Sequence, residues 1–148
     1  MDKFLNDGIL KQVKDLFSDL ENPVAVILFT SKVEQCEYCN ETEQLLNEVV
    51  DLSSKLTLNV YDLDEDAPLA YKLHVDKVPG FVIAGQDGKE LIDYGIRFYG
   101  IPAGSEFGSL ISALLLVSKR QSGLNEQTKY FLSNLLKPVH LMVFATPT

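Results

Sequence analysis

The feature that most restricts the fold of this chain is an unbroken apolar run, Val24 to Phe29, that lies between two amphipathic stretches. A segment without a polar face has to be buried on both sides, as in the central strand of a sheet that helices cover. The run is far shorter than the roughly 20 residues that a membrane helix needs, and no other apolar run is longer. We therefore expect an interior β-strand and no membrane span.

The periodicity of the rest of the chain predicts an α/β fold with a central mixed sheet flanked by helices. Helical spacing predicts helices at about residues 3–21, 37–54, 67–73 and 104–118, the first of which is an extra amino-terminal helix. Strands are predicted at 24–29, 56–63, 81–84 and 91–98. Helices between the early strands favour parallel crossovers, whereas the Asp87-Gly88 turn predicts a closing antiparallel hairpin.

The charge of the chain excludes several kinds of partner. A formal net charge of −8 over 148 residues repels phosphate backbones and anionic membranes, so we expect no nucleic-acid or membrane binding. The first twenty residues are charged throughout and hold no apolar signal-peptide core. A cytoplasmic location is the expectation that follows.

The two cysteines, Cys36 and Cys39, have the C-x-x-C spacing. Beside alternating strands and helices, this spacing is typical of a redox pair. A structural zinc site needs four ligands, and the two histidines, His74 and His140, stand alone and far along the chain. We therefore predict no metal site and no cofactor.

An internal repeat bears on the domain organisation. Residues 11–30 and 126–145 align without gaps, and seven of the twenty positions are identical, including the junctions Pro23-Val24 and Pro138-Val139. Both copies are predicted as helix, proline and buried strand. We expect a redox unit at 1–122, and at 123–148 the helix and first strand of a truncated second unit. Because an unpartnered strand is a pairing hazard, we expect it to dock on a neighbouring element or to join two copies of the chain in a dimer.

Three motifs carry a family resemblance: Cys36-Glu37-Tyr38-Cys39 after the first strand, Val78-Pro79 before the hairpin, and Tyr94-Gly95-Ile96-Arg97-Phe98-Tyr99-Gly100-Ile101-Pro102-Ala103-Gly104 after it. Together they resemble the amino-terminal thioredoxin-like unit of the two-unit protein disulfide oxidoreductases of thermophiles, also called glutaredoxin-like proteins. The resemblance implies a thioredoxin fold. The closing residues 143–148 are similar to the strand that leads to that family's second C-x-x-C. This chain departs from the family because it has no second pair, and from many thioredoxins because Thr30 stands where they carry a buried aspartate and Gly80 where they often have threonine.

The residues suggest specific roles in thiol–disulfide exchange. At a helix N-terminus, Cys36 would be stabilised as a thiolate, and Cys39, one helical turn on, could displace what Cys36 captures. Glu37 either opposes thiolate formation or is simply a favourable first-turn acid, and Tyr38 either shapes a substrate-binding rim or is an exposed aromatic. The resemblance implies that Pro79 is cis beside the redox pair and that Val78 binds substrate through its main chain. The alternative is a trans proline that opens a strand.

Three functions remain open at this point. The first is a thiol–disulfide oxidoreductase that exchanges disulfides with protein substrates, with a flavoprotein reductase or a peroxiredoxin as further partners, as the resemblance implies. The second is a glutathione-dependent glutaredoxin, and the third a non-catalytic interaction unit with a static disulfide. Outside the motif, Arg97 favours a structural ion pair, the acidic residues 62–66 a solvated turn, and Gly100 either a turn or a groove lining.

Overall fold

The computed structural model describes residues 3–33 and 35–146 and has the predicted α/β architecture. Over these residues the elements follow in this order: α1 (Asp7–Leu16), a 3-10 turn (Phe17–Asp19), β1 (Val24–Thr30), α2 (Cys39–Val50), β2 (Leu56–Asp62), α3 (Ala67–Lys72), β3 (Gly80–Asp87), β4 (Glu90–Tyr99), α4 (Ser105–Lys119) and α5 (Glu126–Ser133). Within this part of the chain, none of the helices combines the length and the apolar composition that a bilayer crossing requires.

The four strands form one mixed sheet in the order β2-β1-β3-β4. Strand β1 is parallel to β2 and antiparallel to β3, and β3 and β4 form the closing hairpin. Every residue from Val24 to Phe29 is buried, since β1 is paired on both sides and covered on both faces. The predicted central strand and hairpin are thereby confirmed, and the carboxyl end of β1 lies in the middle of one end of the sheet.

Alternate residues of β1 enter two separate cores, because successive side chains of a strand point to opposite faces. Val26 and Leu28 belong to the larger core, which also contains buried side chains of α1, α2 and α4. Ile27 and Phe29 belong to the smaller core, which is covered by α3 and the residues that follow it. Full burial of each of these side chains contributes roughly 1.5–3 kcal/mol, so the strand is the main anchor of both layers.

The first helix begins later than the sequence predicted, at Asp7 rather than near residue 3, because Asn6 caps it: the Asn6 side chain accepts a hydrogen bond from the N–H of Ile9 (2.9 Å). The segment before the cap is held by the Glu48 carboxylate, which accepts the N–H groups of Phe4 and Leu5, each at 2.9 Å. Burial raises the pKa of Glu48, but these backbone hydrogen bonds outweigh it and leave the pKa below its ordinary value.

The end of the sheet opposite the carboxyl end of β1 is closed by the last turn of α4. The buried Ser118 hydroxyl donates to the carbonyl oxygen of Asn22 at 2.7 Å. The Arg120 guanidinium donates to the carbonyl oxygens of Pro23 (3.3 Å) and Gln86 (3.2 Å). Helix α4 and strands β1 and β3 are therefore joined at this end by hydrogen bonds to main-chain carbonyls.

The carboxyl-terminal segment differs from the prediction. Helix α5 is present, but residues 139–146 form no strand, and their side chains are exposed, with Val143 and Phe144 each 88% exposed. The expectation that this segment docks on a neighbouring element of the chain is wrong for the described residues, because no strand of the sheet pairs with it. Pairing with a second copy stays a prediction, and Pro147 and Thr148 lie outside the described residues.

Candidate active site

The two cysteines lie directly beyond the carboxyl end of the central strand. They are joined by a disulfide bond, with their Cα atoms 5.5 Å apart. Cys39 is the first residue of α2 and only 6% exposed, whereas Cys36 precedes the helix and is half-buried. Solvent and substrates therefore reach Cys36 more readily than Cys39, which is the asymmetry that an attacking and a resolving thiol require.

Helix α2 starts two residues later than predicted, because residues 37 and 38 form a turn. Tyr38 is the N-cap, with φ −125° and ψ 20°, and its carbonyl oxygen accepts the first helical hydrogen bond from the N–H of Thr42 (2.9 Å). Its side chain makes no capping hydrogen bond. The N–H groups of the first turn and the helix dipole thus leave positive potential next to the disulfide, and such potential favours a thiolate over a thiol.

The Val78–Pro79 segment is brought to the same end of the sheet. Its peptide bond is cis, and Gly80, the next residue, is paired with Phe29 near the carboxyl end of β1. Pro79 is buried and Val78 half-buried. On the other side, the N–H of Gly100 donates to the Pro79 carbonyl oxygen at 2.9 Å. The loop that carries the cis bond is therefore enclosed between β1 and the end of β4.

The loop between β1 and the disulfide is anchored by Asp62. This residue is 5% exposed, and its carboxylate accepts the N–H groups of Lys32 (2.9 Å), Asp64 (3.0 Å) and Glu65 (3.1 Å). The prediction of a solvated acidic turn holds for Asp64 and Glu65, which are exposed, but is wrong for Asp62. The signal was the alternation of β2, which places residue 62 on the same face as the buried Leu56.

We expect the anchoring by Asp62 to fail in acid. The N–H of Glu65, followed by those of Lys32 and Asp64, lowers the pKa of Asp62 against the opposing effect of burial. A carboxyl whose folded pKa is depressed adds stability above its unfolded pKa of about 4, and this stability is lost as the pH falls through the folded value. Asp62→Asn should lower Tm by a few degrees at pH 7 and flatten the fall in Tm below pH 4. Thermal melts from pH 2 to 7 measure both effects, with Asp64→Asn, an exposed neighbour, as the control; a variant as acid-sensitive as the wild type would contradict the assignment.

Other residues singled out in the sequence have structural places. Arg97 forms the predicted ion pair with Asp93, with Nη2 and Oδ2 2.7 Å apart. Tyr38 is 46% exposed beside the disulfide, and Glu37 is exposed in the turn. Within residues 3–33 and 35–146, no group of three or more His, Cys, Asp or Glu side chains is arranged to hold a metal ion.

Comparison with known proteins gives relatives of a consistent kind, although no family model matches the chain. The alkyl hydroperoxide reductase AhpF from Staphylococcus epidermidis is 28% identical over 144 residues, which are 97% of this chain and 25% of that protein. Its counterpart from Staphylococcus aureus is 31% identical over 116 residues, 78% of this chain and 19% of that protein. The chain thus spans about a quarter or less of the length of these curated relatives.

Two solved structures resemble the chain. A protein disulfide oxidoreductase from Aeropyrum pernix has a TM-score of 0.74 and 30% identity, and the match covers 91% of this chain and 56% of that one. The NTD_N/C domain of alkylhydroperoxide reductase AhpF from Enterococcus faecalis has a TM-score of 0.75 and 24% identity, over 86% and 59% of the two chains; at that identity it supports the fold alone. The relatives are oxidoreductases and support thiol–disulfide redox activity in general. The chain is a thioredoxin-like protein with a C-x-x-C pair, and an archaeal protein disulfide oxidoreductase is among its structural neighbours.

Proposed function

We propose that this chain is a thiol–disulfide oxidoreductase that exchanges disulfides with protein substrates through Cys36 and Cys39. The observation that carries the proposal is the disulfide between a half-buried Cys36 and a buried Cys39 at the start of α2. A bond that only stabilised the fold would gain little here, because it closes a loop of very few residues and disulfide stabilisation increases with loop length.

The reaction follows from the order of exposure. In the dithiol form, the Cys36 thiolate attacks one sulfur of a client disulfide, and the other client sulfur leaves as a thiolate that takes up a proton. The Cys39 thiolate then attacks Cys36 Sγ, which breaks the mixed disulfide and releases the second client thiol. The client has gained two electrons, and the protein is left with the Cys36–Cys39 disulfide. A two-electron dithiol donor, such as a flavoprotein reductase, restores the starting state; in the reverse direction the pair oxidises a dithiol.

Client recognition is assigned to the loop with the cis bond and to the rim of the site. Val78 is half-buried next to Pro79, so its main chain is available to an extended client segment in the manner of strand addition. Tyr38 is exposed between the two cysteines and offers an aromatic contact beside the reacting sulfur. Because recognition uses main-chain groups, we propose protein disulfides or dithiols as substrates, with a peroxiredoxin as one candidate client.

We further propose that residues 123–148 begin a second thioredoxin-like unit. Helix α5 and the segment after Pro138 repeat the sequence of α1 and β1, and the apolar side chains there are exposed rather than packed. The chain also spans only 56% of the Aeropyrum pernix protein that it resembles. Exposed Val143 and Phe144 would then be interior residues of a sheet whose other strands follow them.

The test is a reduction potential measured together with turnover. Equilibration in glutathione or dithiothreitol buffers, followed by mass-shift alkylation, should give a potential between about −270 and −120 mV. The protein should also accelerate the reduction of a peptide disulfide by dithiothreitol, and Cys36 should be alkylated with a pKa below about 8.5. A potential below about −300 mV without acceleration would instead indicate a static disulfide. Turnover that requires glutathione would indicate a glutaredoxin.

A further inference from the structure

The loop that carries the cis bond is tied to the edge strand β4 at two successive carbonyl groups. Nε of Arg97 donates to the carbonyl oxygen of Leu73 at 2.7 Å. The hydroxyl of Tyr99 donates to the carbonyl oxygen of His74 at 3.3 Å. Both carbonyls lie just after α3, where the chain turns towards Val78. Two side chains, two residues apart on one face of β4, therefore determine where this loop begins.

The guanidinium of Arg97 is itself held in a fixed orientation. Its Nη1 and Nη2 atoms donate to the two carboxylate oxygens of Asp93 at 2.9 and 2.7 Å, and the N–H of Gly95 donates to the same carboxylate at 2.9 Å. The Arg97 side chain is 15% exposed. The bond from Arg97 holds the pKa of Asp93 below its ordinary value, so the carboxylate stays charged at neutral pH. A lysine cannot reproduce this fork while also binding a third oxygen.

The braced loop has a conformation that needs external support. His74 has φ 53°, in the left-handed region that a residue with a side chain occupies at a cost of about 1–2 kcal/mol. At the other end of the loop, the Lys77 ammonium lies 5.7 Å from the centre of the Tyr99 ring. Tyr99 thus contacts the loop both at its start, through its hydroxyl, and next to Val78, through its ring. Displacement of Tyr99 or Arg97 would therefore move the segment that presents Val78.

We propose that Arg97 and Tyr99 are positioning residues for client recognition. They hold residues 73–79 so that the main chain of Val78 is aligned for an extended client segment. This inference rests on the proposed function and adds the determinant of its substrate binding. Neither side chain belongs to the disulfide loop, so the chemistry at Cys36 should not depend on them. Their effect should appear with clients that bind along the loop and not with a small disulfide that only reaches the sulfur.

The experiment compares two substrates in the full chain. Arg97→Lys and Tyr99→Phe should each raise KM for a peptide disulfide by about tenfold while leaving kcat nearly unchanged. The rate with 5,5′-dithiobis(2-nitrobenzoic acid), a small disulfide, should match that of the wild type. The control is Arg120→Lys, which alters an arginine that also donates to main-chain carbonyls but at the opposite end of the sheet. It should lower Tm without changing the ratio of the two activities.

The outcomes separate this inference from the proposed function. A wild-type protein inactive towards both disulfides overturns the proposed function and the positioning role with it. An active wild type whose variants keep its peptide KM, or lose both activities equally, overturns the positioning role alone. Tyr99→Phe removes only a hydroxyl from a 41% exposed side chain, so it provides a folded variant even where Arg97→Lys is unstable.

Discussion

Replacing Cys36 with serine should reduce the rate of disulfide reduction by roughly a thousandfold or more, because a serine hydroxyl is not ionised near neutral pH and cannot attack a disulfide. The matched change, Cys39→Ser, should have a different result. Cys36 can still attack, but nothing resolves the mixed disulfide, so a covalent complex with the client should accumulate. Both variants lose the same disulfide bond, and any effect of that loss on stability is therefore common to the pair.

The measurement is non-reducing electrophoresis and intact mass after incubation with a peptide disulfide. Cys39→Ser should gain the mass of one half of the client, and dithiothreitol should remove it. Cys36→Ser should gain no mass. If Cys39→Ser stays unmodified while Cys36→Ser forms the adduct, the buried cysteine is the nucleophile and the assignment of roles is reversed. If both variants turn over as the wild type does, the disulfide is static.

The second large effect is expected at Gly80. This residue is buried directly after Pro79, and a Cβ atom there would collide with the main-chain carbonyl oxygen of Lys77 and press on Val75 and Tyr99 at 3.0 Å. Because one of the obstacles is backbone, the loop must shift to admit a methyl group. Gly80→Ala should therefore destabilise the protein by about 2–3 kcal/mol and raise KM for a peptide disulfide.

Urea denaturation and peptide-reduction kinetics together test this expectation. The matched control is Gly108→Ala: Gly108 lies in α4 and a Cβ there meets nothing within 4 Å. That substitution should stabilise the protein by about 0.5–1 kcal/mol, because alanine is the better helix former. Equal unfolding midpoints for Gly80→Ala and the wild type would show that the loop accommodates the methyl group. The requirement for glycine also explains why threonine, frequent after the cis proline of related folds, is absent here.

The core of the fold was predictable because its signals are local. The apolar run Val24–Phe29 and the Asp87-Gly88 turn are each sufficient for the element they predict, and both are confirmed. Helix boundaries were less predictable, since they depend on single caps. Asn6 starts α1, and the turn at Glu37 and Tyr38 delays α2, although the hydrophobic periodicity continues through both.

The candidate site was predictable in part. The C-x-x-C spacing identified the two thiols, but the contacts that hold the surrounding loops connect residues far apart in the chain. Asp62 binds the N–H of Lys32, and Arg97 binds the carbonyl of Leu73, 24 positions away. No periodicity encodes such pairings. The terminal strand failed for the opposite reason: its pattern fits a strand well, but a strand exists only where another one bonds to it.

The closure of the sheet by Ser118 and Arg120 has a consequence for how a longer protein would be assembled. The polypeptide leaves the folded core just after these residues, at the end of the sheet away from the two sulfurs. Whatever is tethered through residues 121–125 is hinged at the rear of the molecule. The tether itself therefore leaves the reactive face open, and a bulky client and a covalently attached neighbour can be accommodated at the same time.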